Sequence, residues 1–180
     1  VTLSEPTQVE LANFSIDCPV AGGTTAVVNF TPAVGTPSYQ ISTDNGLNYL
    51  PFNQNSTSFT IGATYHNMER DTNGCLSLGM DSIEINPSVV IDSVSFEKCF
   101  TTSQNMSNVE VYISGGDGGL YQVSYDSGAF NTAGDYTDSL SINGAHIIVA
   151  QDGLGCLSLP FTINVPDRLL ASSAITSNFN

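Results

Sequence analysis

The sequence predicts an all-β fold built twice in tandem, and three observations carry that expectation. Cys18 and Cys75 lie 57 residues apart, as do Cys99 and Cys156, and the second pair follows the first by 81 residues. Apolar and polar residues alternate at period two, the pattern of half-buried strands, with no helical periodicity. Clusters of Gly, Asn, Asp, Ser and Pro, such as Gly115-Gly116-Asp117-Gly118-Gly119, separate the alternating runs and read as turns.

In chain order, the repeat opens on Pro6 and again on Pro87, each followed by a short apolar stretch (Val9 and Leu11; Val90 and Ile91). Strands are expected at Val28/Phe30, Tyr39/Ile41, Phe59/Ile61 and Leu76/Leu78/Met80 in copy one. In copy two they are expected at Val109/Val111/Ile113, Tyr121/Val123, Leu140/Ile142 and along Leu157, Leu159, Phe161, Ile163 and Val165. Ala145 to Ala150 is apolar on both faces, as a central strand requires. Two blocks fix the alignment. Asp71-Thr72-Asn73-Gly74-Cys75-Leu76-Ser77-Leu78 matches Asp152-Gly153-Leu154-Gly155-Cys156-Leu157-Ser158-Leu159 at 81, and Tyr39-Gln40-Ile41-Ser42 matches Tyr121-Gln122-Val123-Ser124 at 82. The single-residue slip belongs in a loop.

Six or seven short strands in about 80 residues point to an immunoglobulin-like β-sandwich. The expected organisation is therefore elongated: module one over 1–86, module two over 87–165, and residues 166–180 as the start of a third copy or a strand donated to a neighbour. The chain begins without Met and stops within a module, so it is expected to be a window from a longer polypeptide, or a protomer completed by a neighbour. One segment breaks the symmetry. Tyr65-His66-Asn67-Met68-Glu69-Arg70 stands where copy two has His146-Ile147-Ile148-Val149-Ala150-Gln151. If the pleat is shared, Asn67 or Glu69 points inward; a register shift is the alternative.

Three Lys and Arg against 17 Asp and Glu give a net charge of −14, which repels nucleic acid and anionic membrane. No apolar run reaches the ~20 residues of a membrane span. The cysteines are isolated singles rather than the close pairs of a zinc site. The favoured reading is one disulfide per module, Cys18–Cys75 and Cys99–Cys156, each contributing about 4 kcal/mol by loop closure; free core thiols are the alternative. Disulfides imply an oxidising compartment. A geometric conflict accompanies this pairing: in an alternating sandwich the loop after the first strand and the last hairpin lie at opposite poles, and the pairing expects the five to nine residues after Cys18 and Cys99 to run along the barrel edge so that the cysteines meet.

The proline and apolar strand, the cysteine before a polar loop, Gly115/Gly116 before Tyr121-Gln122-Val123-Ser124, Gly128, and the closing Asp152-Gly153-Leu154-Gly155-Cys156 together resemble the SprB-type repeat of long surface adhesins in gliding Bacteroidetes. Copy one departs from the pattern in its sixth strand, and has Ala33-Val34-Gly35-Thr36-Pro37 in place of the Gly-rich turn. The resemblance implies a secreted protein of the outer cell surface, exported by the type IX system and used in attachment and gliding motility.

No hydrolase, metalloprotease or phosphate-loop motif occurs, so no catalytic residues and no enzyme activity are expected. His66 and His146 read as ordinary strand residues. No cofactor is expected; Ca²⁺ is a weak candidate through the equivalent pairs Asp44/Asp126 and Asp71/Asp152, which read first as turn formers. Asp81-Ser82-Ile83, Asp92-Ser93-Val94 and Asp138-Ser139-Leu140 match a short O-glycan acceptor pattern, making Ser82, Ser93 and Ser139 candidate glycosylation sites. The expected partners are neighbouring repeats of the same chain, and surface polysaccharide as a further candidate. The alternatives are a carbohydrate-binding accessory module of a secreted enzyme, for which the absence of Trp is unfavourable, and a self-polymerising fibre subunit.

Overall fold

A computed structural model of the chain describes residues 8–51, 56–78, 81–99, 103–131 and 137–167. The described residues form thirteen strands and no helix. In the first module, β1 (Glu10–Ile16), β2 (Thr25–Val34) and β5 (Ser56–Thr60) make one sheet in the order β1-β2-β5. The facing sheet runs β4-β3-β6-β7, from β3 (Gln40–Ser42), β4 (Leu50–Pro51), β6 (Ala63–Arg70) and β7 (Asp81–Ile85). The second module repeats this with β8 (Val90–Phe96), β9 (Met106–Ser114) and β11 (Thr137–Ser141) facing β10 (Gln122–Tyr125), β12 (Gly144–Gln151) and β13 (Phe161–Val165). Every strand pair is antiparallel. Among the described residues, the counterpart of β4 in copy two is a single bridge, Val123 to Asn131. This is the immunoglobulin-like sandwich that the alternation and turn spacing predict.

Each module closes on its own core. Phe30, Phe59, Ile83 and Ile85 are buried in the first, and Val109, Val111, Ile148 and Val165 in the second. Central strand β12 lies between β10 and β13, as the apolar run Ala145 to Ala150 requires. Gly62 and Asn143 occupy equivalent left-handed turns (φ 71° and 61°), a conformation that glycine and asparagine tolerate best. The expected strand at Leu76/Leu78/Met80, and the first half of the run from Leu157, form differently. The Ser77 and Ser158 hydroxyls accept from the Glu69 and Ala150 N–H groups in place of a ladder carbonyl, so pairing here is limited to single bridges, Arg70 to Leu76 and Gln151 to Leu157. Leu78 is 81% exposed, Met80 lies outside the described residues, and the last strands start only at Asp81 and Phe161.

The pleat of β6 and β12 is shared. Their outer halves carry the same burial alternation, so Asn67 takes the inward place of Ile148, and Glu69 that of Ala150. Asn67 is fully buried, and among the described residues neither atom of its amide has a hydrogen-bond partner.

Topology fixes two poles for each module. The β1–β2 loop lies at one end, where the Ile61 N–H donates to the Thr24 carbonyl. The β6–β7 loop lies at the other, where the Asp71 carboxylate accepts from the Thr36 N–H of the β2–β3 loop. Strand β1, seven residues or roughly 23 Å long, separates them. Cys18 and Cys75 sit at these opposite ends. A disulfide needs Cα atoms within about 7 Å, so the intramodule pairings Cys18–Cys75 and Cys99–Cys156 do not form. Residues 168–180, which carry most of the expected third copy or donated strand, lie outside the described residues.

Candidate functional site: the junction between modules

Four residues, 86–89, connect the end of β7 to the start of β8. Strand β7 ends at the β1–β2 pole of the first module, and β8 begins at the β6–β7 pole of the second. The short linker therefore sets one pole against the other. Across that contact Cys18 is bonded to Cys156, with Cα atoms 5.1 Å apart and 138 positions of sequence between them. This replaces both expected pairings. Cys75 and Cys99 are left as free thiols, half-buried and exposed respectively.

The Asp-x-x-Gly-Cys-Leu-Ser motif builds the turn that presents Cys156. Asp152 is buried, and its Oδ1 accepts from the N–H groups of Leu154 (3.0 Å) and Cys156 (2.8 Å), while Oδ2 accepts from Asp117 N–H (3.2 Å). Gly155 closes the turn at φ 89°. Its N–H donates to the Asp152 carbonyl, and the Asp152 N–H to the Cys156 carbonyl, both at 3.1 Å. Copy one reproduces this bond for bond: Asp71 accepts from Asn73, Cys75 and Thr36, and Gly74 stands at φ 83°. The turn around Cys75 is thus as rigidly made as the one around Cys156.

On the other side, the β1–β2 ladder extends one bond past the strand, from Asp17 N–H to Val27 carbonyl at 2.8 Å, and delivers Cys18 to the pole. The equivalent bond in copy two, Glu97 N–H to Asn108 carbonyl, stands just before Cys99. Gly22 lies against Leu159, where a Cβ would stand 2.8 Å from Leu159 Cδ1, and its φ of 71° also favours glycine. The Ser88 hydroxyl donates to the Gly23 carbonyl at 3.1 Å. A cleft of about 240 Å³ between Gly22, Val89, Leu159 and Phe161 completes the junction.

The four aspartates weighed for Ca²⁺ serve the backbone. Asp71 and Asp152 hold the cysteine turns. Burial pushes the Asp71 carboxyl up, but the N–H groups it accepts from outweigh that and lower its pKa on balance. Asp44 accepts from the backbone N–H of Asn48, the Ser42 hydroxyl and the Asn48 amide, which hold its carboxyl at about 2. Asp126, the positional equivalent of Asp44, does something else: it accepts from Ile147 N–H and meets His146 Nδ1 at 2.6 Å. Among the described residues no three His, Cys, Asp or Glu side chains converge as a metal site requires.

His66 is an exposed strand residue, whereas His146 is buried with both ring nitrogens engaged. Nε2 lies 2.9 Å from the Ser141 carbonyl, so both partners are acceptors and the doubly protonated ring satisfies both. Burial alone lowers the His146 pKa; the Asp126 and Ser141 contacts overcome it and raise the value above 6.5. No spacing motif announces this pair, whose members are 20 positions apart. The three acceptor serines Ser82, Ser93 and Ser139 all stand at exposed strand positions.

No protein-family model and no curated protein matches the chain. Among solved structures, the chain is similar to a C-terminal 282-residue fragment of intimin, in complex with the intimin-binding domain of the translocated intimin receptor. The TM-score is 0.57 at 14% identity, over 91% of this chain and 65% of the fragment. At that identity the likeness is one of fold. Fibronectin(III)-like modules of Clostridium thermocellum CbhA (TM-score 0.37, 17% identity, 92% of this chain and 100% of that one) superpose more loosely. So do domains 7, 8 and 9 of the S-layer protein SbsC (0.27, 10%, 90% and 63%). No functional comparison rests on these two.

Proposed function

We propose that the chain is a stretch of the repeat region of a secreted cell-surface adhesin or filament protein, of the SprB type, whose modules act as load-bearing spacers in attachment and gliding. The observation that carries this reading is the staple across the junction. Pulled from its ends, the chain transmits load along β1 to Cys18, through the disulfide to Cys156, and along β13 to the end of the second module. That route uses one strand from each module and bypasses both cores. A module built to resist extension, with no catalytic constellation in its sequence, fits a stalk better than an enzyme.

The disulfide calls for an oxidising compartment, in keeping with an outer-surface location and type IX export. The −14 charge suits a solvated spacer that avoids nucleic acid and anionic lipid. The intimin fragment that shares this fold is bound to a protein receptor domain, which supports surface contact with protein; neighbouring repeats and surface polysaccharide are the further partners of this reading. Ser82, Ser93 and Ser139 are the places where this reading puts O-glycans. The test is immunolabelling of intact, unpermeabilised cells with antibodies raised against this chain, with parallel protease shaving. Surface label removed by protease is the expected result, and label confined to the cytoplasm of lysed cells overturns the proposal.

A further inference from the structure

The two modules carry the same pair of cysteines, but only one member of each pair is bonded. Cys18 leaves the β1–β2 pole of the first module, and Cys156 leaves the β6–β7 pole of the second. The unbonded members are the mirror of these. Cys75 stands in the β6–β7 turn at the outer pole of the first module, and Cys99 after β8 at the outer pole of the second. Each is set in the local geometry that its bonded equivalent uses. The Cys75 turn repeats the Asp carboxylate contacts and the left-handed glycine of the Cys156 turn. Cys99 is seven residues from β9, as Cys18 is from β2. Burial differs as it would for a seat without its occupant: Cys156 is 8% exposed and Cys75 more so, and Leu78 is 81% exposed where its equivalent Leu159, which packs on Gly22, is 58%.

We infer that Cys75 and Cys99 are the open ends of a ladder of inter-module disulfides: Cys75 takes the β1–β2-loop cysteine of a further copy of this module seated before the pair, and Cys99 takes the β6–β7-loop cysteine of a copy seated after it. The occupant of both poles is another copy of the module, because the bonded junction already shows how one copy receives the next. Every junction then has two covalent connections, the linker and the staple. Such an array gains almost no length when its modules unfold. The bond forms by thiol–disulfide exchange with a low-molecular-weight disulfide such as oxidised glutathione. The Cys99 thiolate attacks it and releases one glutathione thiolate. The Cys75 thiolate of the next copy then displaces the second. Two thiol protons are lost, and two electrons pass to the glutathione.

The chain itself supplies both ends, so the test needs no extra module and does not depend on where the protein resides. Purified chain at high concentration in a glutathione redox buffer should give a ladder on non-reducing gels, in steps of 19.0 kDa. Cys75→Ser alone and Cys99→Ser alone should stay monomeric. Their equimolar mixture should give a dimer and nothing larger, joined by Cys99 of one chain and Cys75 of the other. Dimers from either variant alone would mean like-to-like pairing and would overturn the head-to-tail order. Wild-type chain that stays monomeric, with both thiols free or bonded to each other, would overturn the ladder itself.

Discussion

Opening the staple should lengthen the chain under force by an amount the structure fixes. With Cys18 bonded to Cys156, load applied at the termini bypasses everything between them, and that segment spans 138 positions. At about 3.3–3.6 Å per extended residue, the hidden length is roughly 450–500 Å. The loaded route itself is already extended, because β1 and β13 are strands. Cys156→Ser removes the bond without a reductant. In a single-molecule pulling experiment with handles at the termini, the wild-type chain should yield none of the hidden length. Cys156→Ser should release it in two module-unfolding events, less the folded length of the pair, and Cys75→Ser should behave as wild type. Full-length extension of the oxidised wild-type chain, or a change caused by Cys75→Ser, would refute the load path.

The same bond should appear in solution stability. Unfolding one module while the other stays folded leaves a closed loop of about 70 residues, which favours the folded state by about 4 kcal/mol. Cys18→Ser should therefore cost whichever module unfolds first about that much in urea denaturation, and Cys75→Ser less than about 0.5 kcal/mol; equal losses from the two would restore the intramodule pairing. The His146–Asp126 pair should stabilise the second module only where both are charged. The raised His146 pKa makes its contribution complete below about 6.5 and lost as pH rises through the folded value, while the lowered Asp126 pKa makes its contribution present above about 3.8 and lost on further acidification. Proton NMR titration should show a His146 midpoint above 6.5 that falls in Asp126→Asn, and an unmoved midpoint would contradict the pairing. Asn67→Ile, which copies Ile148 into the first module, should stabilise that module by about 1–3 kcal/mol in chemical denaturation, because a buried amide without a partner is replaced by an apolar side chain. A destabilised variant would mean that the amide is satisfied.

Much of the fold is legible in the residues because β-sandwich physics is local: alternation sets the inward faces, and Gly, Asn and Asp set the turns. The β6–β12 comparison is the clearest case: a shared pleat points Asn67 and Glu69 inward, and the common burial alternation shows that the pleat is shared rather than shifted in register. The last hairpin is less legible. Leu76, Leu78 and Met80 alternate like a strand, yet the Ser77 hydroxyl competes for the β6 backbone and delays β7 to Asp81. The His146–Asp126 contact leaves no local trace, because cross-strand neighbours 20 positions apart obey no motif. The cysteines show where sequence spacing misleads. A separation of 57 found in both copies records two equivalent positions of the repeat, not the bond. The clue lay in the conflict between poles, which disappears once the neighbouring module, rather than the same one, supplies the partner.

The bond between Cys18 and Cys156 is simple to test, because basic residues are scarce in this chain. Trypsin cuts only after Arg70, Lys98 and Arg168, which places Cys18 in residues 1–70, Cys75 in 71–98, and both Cys99 and Cys156 in 99–168. A non-reducing tryptic map by mass spectrometry of monomeric, freshly oxidised chain should find 1–70 joined to 99–168, with 71–98 released alone. Residues 1–70 joined to 71–98, with 99–168 two hydrogens light, would contradict it.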